Sequence, residues 1–411
     1  MTIIYIAYSC SPYNGTEDKL GWYIPYYASR NNDVIIITKE EQRKSIERYR
    51  ENNDCDRISV IYIDIPAVYK KIYKGGLYSG RQNVWNERAY REVRQICKTR
   101  QIDIIHQVNP VEFRSIGKYG SIEGVPFVCG PVGGGEYIPY QLKKYIKTGF
   151  ILETIRMIAN AYYKTKYRVD GRIARCSILL FANKETRNYL ISNKEWEKYP
   201  VMTELGSLKC NDTISQKKKV FTILSGGRLI YRKGFDLLYD AIELVPERYE
   251  FRVMFVGDGP LYEHLKERVS LSTILKKRVI ILGRIPHEEM EQAYQNADIF
   301  FMPSLRETTG SVVLESLENG VPVVTMNRYG ASIIVNDECG ILYDLDDKIE
   351  PADKIAKIII ECIDNQDKVK AMKPFCKKRA EELSFANKIQ VYESLYRDLV
   401  TKKSSVDLKC I

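Results

Sequence analysis

The chain has 411 residues, of which 45% are hydrophobic and 28% charged, and a formal net charge of +10. That length exceeds what one hydrophobic core usually serves, so two domains are expected, and the composition excludes a disordered or fibrous chain. No stretch approaches the roughly 18 uninterrupted apolar residues of a membrane span, and the opening MTIIYIAYSC reads as a strand without a basic leader, which points to the cytoplasm.

In chain order, β-rich runs are read at 3–8, 34–38, 58–63, 103–107, 126–129 and 178–182, with helical patterns between them at 18–29, 82–100 and 183–193. Strands alternating with helices imply a parallel sheet covered on both faces. Within this half, residues 143–175 hold nine Lys or Arg against Glu153 and Asp170, a local net charge of +7. Ile151, Ile155, Ile158 and Tyr162 recur there at helical spacing. Two readings fit: a helix lying on anionic lipid, or a surface helix packed on its own domain. Nucleic acid is not expected as a partner, because no recognised binding motif accompanies the charge.

A polar, lysine-rich stretch from Lys209 to Lys219 is the linker candidate, with a hinge near Glu204–Asp212. A second alternation then begins, with strands VFTILS, FRVMFV, RVIIL, DIFFM and VPVVT and helices opening at Phe235, Leu261, Glu288, Ser311 and Pro351. The expected fold class is therefore α/β, two Rossmann-like doubly wound domains. Ligands of such folds bind beyond the carboxyl ends of the strands, so those ends are read for chemistry.

The first strand of the second half runs into SGGRLIYRKGFD, where Arg228 and Lys233 place two cations able to neutralise a diphosphate. The next ends in VGDGPL, with Gly257 allowing close approach, and the third in LGRIP, offering Arg284 and Ile285 to a planar base. The fourth ends in MPSLRE and delivers Glu307. Eight positions on lies Glu315, in a helix whose apolar face is read as Val312, Val313 and Leu317. The TTG turn opening that helix is an anion site by its free N–H groups and dipole. Carboxylates beside an anion site suit a phosphorylated, polyhydroxylated ligand. Ten cysteines are scattered singly without a Cys-x-x-Cys pair, and the histidines are His106, His264 and His287, so no metal site is expected.

Taken in order, GGRLxxRKG, VGDGPL, LGRIP, the spaced glutamates, LESLENGVPVV and CGILYD closely resemble the retaining glycosyltransferases of family four, with the GT-B architecture of two facing Rossmann-like domains and a cleft between them. The resemblance implies residues 1–208 as acceptor-binding domain, 209–385 as nucleotide-sugar domain, and 386–411 as a helix crossing back to the first. It assigns Arg228 and Lys233 to the donor diphosphate, Glu315 to the ribose and Glu307 to the transferred sugar. Thr308, Thr309, Gly310, Ser311 and Val312 would contact sugar and phosphates, with Gly257, Arg284 and Ile285 completing the donor site. In the first half, NGTEDKLGW and GPVGGGE resemble one branch of the family, giving Gly15 as a phosphate contact, and Glu17 with the flexible loop Gly133, Gly134 and Gly135 as acceptor candidates.

One departure stands out. Many members of the family place a histidine after the strand that here reads PFVC, whereas this chain has Gly130-Pro131; His106 is the nearest substitute in sequence. The implied reaction is retaining, metal-independent transfer of a sugar from a nucleotide donor, with UDP expected, to a glycan or lipid-linked acceptor in cell-surface polysaccharide or glycolipid assembly. The expected place is the cytoplasm, with a peripheral position on the inner face of the plasma membrane if the basic segment 141–175 lies on an anionic surface. A non-catalytic nucleotide-sugar-binding subunit and a GT-B epimerase or phosphorylase are the alternatives.

Overall fold

The computed structural model describes residues 1–66, 68–69, 78–191, 199–208 and 220–401. The expected linker at 209–219, the last residues of the expected helix 183–193 and the C-terminal run 402–411 lie outside the described residues. The chain divides into two compact units, one made of Met1–Gly135, Arg156–Gly206 and the chain from Phe385, the other of Glu136–Ile155 and Ser207–Ser384.

The first unit is built on a parallel sheet of β1 (Thr2–Ala7), β2 (Asp33–Lys39), β3 (Ile58–Ile63), β4 (Ile104–Asn109), β5 (Phe127–Val132) and β6 (Ile178–Phe181), in the order β3-β2-β1-β4-β5-β6. Every residue of β4 and β5 is buried, as strands covered on both faces must be. The two-residue period sorts their neighbours. Ile4 and Ile6 of β1 enter one core with Trp85, while Ile3, Tyr5 and Ala7 enter the other with Trp22. The helix Phe385–Val400 joins that second core through Phe385, Tyr392 and Tyr396, so the C-terminal helix belongs to the first unit.

The second unit repeats the plan with β7 (Phe221–Gly226), β8 (Phe251–Val256), β9 (Val279–Gly283), β10 (Ile299–Met302), β11 (Val323–Met326) and β12 (Gly340–Tyr343), in the order β12-β11-β10-β7-β8-β9. β12 falls within the CGILYD motif but was not among the expected strands. In both sheets the order reverses beside the unit's first strand, between β1 and β4 and between β7 and β10. Connections leave such a switch point in opposite directions, which opens a crevice at the carboxyl ends.

Residues 136–155 were expected in the first domain but belong to the second unit. Leu142 and Tyr145 are buried in its core beside the helix Phe235–Leu244. Tyr145 Oη donates to Asp240 Oδ2 at 2.9 Å, and Lys147 Nζ lies 3.3 Å from Asp236 Oδ2. Local periodicity could not reveal this, because an apolar residue fits whichever core its neighbours supply.

Candidate active site

The carboxyl ends of β7, β8 and β9 are tied together by backbone hydrogen bonds: Gly227 N–H to Val256 O at 2.9 Å, Leu229 N–H to Asp258 O at 2.9 Å, and Gly257 N–H to Gly283 O at 2.8 Å. A side chain at Gly257, where φ is +141°, would put its Cβ 1.9 Å from Gly227 O, so the position must stay bare for the loops to close. Across the switch point, Leu305 N–H donates to Arg232 O at 2.8 Å. Gly234, at φ +72°, turns the chain into the helix Phe235–Leu244 against Pro303 O.

These ties bring three charged side chains together. Arg232 Nη1 donates to Glu307 Oε1 at 3.1 Å, and Lys233 Nζ donates to Glu307 Oε2. Glu307 is buried, which alone would push its carboxyl up, but Lys233 and Arg232 outweigh this and hold it at about 2. Glu307 is therefore an ionised, acceptor-only carboxylate at neutral pH. Its Cγ lies against Gly310, the residue at φ +87° that opens the helix Ser311–Glu318.

A second layer fixes the two loops. Glu153 Oε1 accepts from Tyr231 Oη at 2.7 Å and from Arg306 Nη2 at 2.8 Å. Tyr231 and Arg306 are the chain neighbours of Arg232 and Glu307, so one carboxylate grips both loops. Tyr329 Oη donates at 2.7 Å to Leu305 O in the same stretch. Reading strand ends picked out neither Arg232 nor Glu153. The signals were present, as Arg232 stands in YRKG and Glu153 is one of only two acids in the basic segment.

The remaining expected residues fall as follows. Lys233 and Glu307 meet directly, while Arg228 is exposed just beyond β7. Arg284 is exposed and Ile285 half-buried beyond β9. Glu315 is exposed on the helix Ser311–Glu318, whereas Thr309 and Gly310 are buried and Thr308, Ser311 and Val312 half-buried. The helix buries Val313, Leu314 and Leu317, so Leu314 takes the core place read for Val312. Glu307 precedes the helix that carries Glu315.

In the first unit the structure corrects several readings. His106 is fully buried, its Nε2 2.8 Å from Gly130 O and its Nδ1 2.5 Å from Tyr396 Oη. A carbonyl only accepts, so Nε2 carries the proton and Nδ1 accepts from the tyrosine. Burial lowers the imidazole to about 4. Both ring nitrogens are thus engaged inside the fold, and His106 is a packing residue that ties down Gly130. The Gly133–Gly135 loop is held rather than flexible: Gly133 N–H donates to Val111 O at 2.7 Å, Gly135 N–H to Thr186 Oγ1 at 3.1 Å, and Gly134 O accepts from Arg156 at 2.9 Å. The Glu17 carboxylate accepts from Val111 N–H at 2.9 Å, which anchors the loop after β4. Gly15 is exposed at the start of the helix Thr16–Ala28, with open space where a Cβ would stand.

A family model described as glycosyl transferases group 1 matches residues 211–379. Alpha-monoglucosyldiacylglycerol synthase of Streptococcus pneumoniae is 26% identical over 279 residues, 62% of this chain and 59% of that protein. Sulfoquinovosyl transferase SQD2 of Arabidopsis thaliana is 34% identical over 116 residues, 28% of this chain and 21% of that protein. The chain thus spans less than two thirds of the length of these curated relatives. Among solved structures, the apo lipopolysaccharide outer core galactosyltransferase WaaB superposes with a TM-score of 0.64 at 14% identity, covering 98% of this chain and 100% of that one. Anabaena Alr3699/HepE in complex with UDP-glucose gives a TM-score of 0.59 at 16% identity, covering 97% and 100%. Residues 211–379 thus match the glycosyl transferases group 1 model, and the chain shares the GT-B fold of its neighbours among solved structures.

Proposed function

We propose that the chain is a retaining, metal-independent glycosyltransferase that moves a sugar from a UDP-sugar to an acceptor hydroxyl in cell-surface polysaccharide or glycolipid assembly. The observation that carries this reading is the Arg232–Lys233–Glu307 cluster at the β7/β10 switch point, beside the N-terminus of Ser311–Glu318. The UDP-glucose complex of the Anabaena neighbour supports the donor class, and the glycolipid product named for the Streptococcus pneumoniae relative supports the acceptor class.

In this reading Arg228 and Lys233 meet the charge of the diphosphate, together with the N–H groups that open Ser311–Glu318. Glu315 takes the ribose hydroxyls, and Arg284 and Ile285 take the base. Glu307 accepts hydrogen bonds from the transferred sugar; held at about 2, it cannot serve as an acid near neutral pH. The acceptor oxygen bonds to the anomeric carbon on the face that the phosphate leaves. The bond from that carbon to the phosphate oxygen breaks, and the departing phosphate takes the acceptor proton. The products are a glycoside of unchanged anomeric configuration and a nucleoside diphosphate. Acceptor recognition is assigned to the first unit and the reaction to the cytoplasm.

Incubating the protein with a panel of nucleotide sugars and glycan or lipid acceptors, and following nucleoside diphosphate release and product anomer by NMR, tests the reading. Release coupled to a retained glycoside supports it. Binding without turnover indicates a nucleotide-sugar-binding subunit, orthophosphate consumption a phosphorylase, and a rearranged sugar without transfer an epimerase. Loss of activity on adding EDTA would overturn the metal-independent part.

A further inference from the structure

Beside β10 stands one more furnished strand end, that of β11, which pairs with β10 and runs into Asn327, Arg328 and Tyr329. Neighbouring strands lie about 5 Å apart, roughly the width of a sugar ring. Tyr329 is buried at φ +61°, a conformation that a bulky residue adopts only where its surroundings impose it. Here they do. Tyr329 Oη lies 2.7 Å from Leu305 O and 2.9 Å from Tyr137 O, and Gly330 N–H donates to Thr308 O at 2.8 Å. A Cβ on Gly330 would stand 2.6 Å from Thr309 Cα, so the two loops touch through their backbones. The loop after β11 is thus fixed against the stretch that delivers Glu307.

That anchorage positions Tyr137. Its carbonyl is within reach of Tyr329 Oη, and the Arg328 guanidinium lies 5.0 Å from its ring centre and 5.5 Å from that of Tyr329. Cation–π attraction therefore holds the Tyr137 ring, yet the residue is 54% exposed. A single exposed tyrosine is ordinary, but this one has both backbone and ring fixed by a loop beside Glu307. Tyr137, Arg328, Tyr329 and Glu307 all belong to the second unit. In the donor reading above, the base lies at the end of β9, the diphosphate at β7 and the sugar at Glu307 after β10. The order of the strands then carries the sugar end of the ligand toward β11. A tyrosine face is electron-rich and its two torsions cost little to fix, which suits it to the polarised C–H groups of a pyranose.

We propose that Tyr137 packs against one face of the transferred hexose and sets which sugar is accepted, with Arg328 holding its ring in place. This rests on the donor reading above, and the experiment separates the two. Calorimetry compares UDP, UDP-glucose, UDP-galactose and UDP-N-acetylglucosamine on wild type, Tyr137→Leu and Tyr137→Phe. Leucine keeps bulk over Arg328 without a ring, whereas phenylalanine keeps the ring. UDP affinity should stay within about twofold in all three proteins. The UDP-hexose that wild type binds most tightly should lose about tenfold in Tyr137→Leu and stay within about twofold in Tyr137→Phe. The spread of affinities among the hexoses should narrow in the leucine variant. Equal UDP-hexose affinity in wild type and Tyr137→Leu overturns the proposal while leaving the donor reading intact. So does a parallel loss of UDP and UDP-hexose, which would make Tyr137 a packing residue of the loop. A wild type that binds neither UDP nor any UDP-hexose overturns the donor reading, and the proposal with it.

Discussion

Glu307→Gln removes one buried negative charge at nearly constant shape. Lys233 and Arg232 hold the native carboxyl at about 2, against an ordinary value of 4.5. Net of the burial that opposes it, their pull on the ionised form corresponds to about 3 kcal/mol of stability. The native value is the lower one, so this contribution is complete above about pH 4.5 and declines as the pH falls toward 2. Linkage leaves about half of it at roughly pH 3. Urea unfolding of wild type and variant, followed by tryptophan fluorescence between about pH 3 and 7, should show a stability gap that is widest at neutral pH and narrows on acidification. A gap that does not change with pH would refute the ion-pair account of this carboxylate. The variant should also lose transfer, because a neutral amide no longer balances two cations.

Glu153→Gln keeps the shape of the clamp but leaves Arg306 facing a neutral group, and should cost about 2–4 kcal/mol of stability. Donor KM should rise with it; unchanged donor kinetics in the folded variant would reduce Glu153 to a packing role. Glu315→Ala should weaken UDP binding roughly tenfold by calorimetry, as loss of a charged hydrogen bond does, whereas Glu307→Ala should leave free nucleotide bound and impair transfer. Identical defects in the two would contradict the division of labour. His106→Ala should lower stability with transfer retained in the folded fraction. Because burial lowers His106 to about 4 from 6.5, its stabilising share is complete above pH 6.5 and declines as the pH falls toward 4, a slope the variant should lack. Gly234→Ala would set a Cβ 2.0 Å from Pro303 O at φ +72°, and should cost more than about 2 kcal/mol and disable transfer by displacing Lys233. A melting temperature equal to wild type would show that the loop yields.

Much of the fold was readable locally. Runs such as VIIIT and VFTIL are β-branched or apolar throughout, the composition of a strand covered on both faces, and each is followed by a turn and a helical repeat. The cluster of candidates at the strand ends of the second unit could be read for a related reason, since a doubly wound sheet delivers its carboxyl ends to one edge. The first unit's candidates were less readable. His106, read just after a strand, lies inside β4 instead, with its ring turned to Gly130 and to Tyr396, which is 290 residues away.

By itself the sequence determined the alternation of strands and helices, the placing of Lys233 and Glu307 after their strands, and the presence of an apolar repeat within a basic segment. These follow from spacing within a few residues, where backbone geometry sets which side chains share a face. Only the tertiary structure decided that Arg232 joins Lys233 on Glu307, that Glu153 grips both loops, and that the repeat from Ile151 to Tyr162 faces outward. Those outcomes depend on which distant segments share a core. A periodic pattern fixes the angle between two faces of a helix, but the side that is buried is chosen by the surface waiting to receive it.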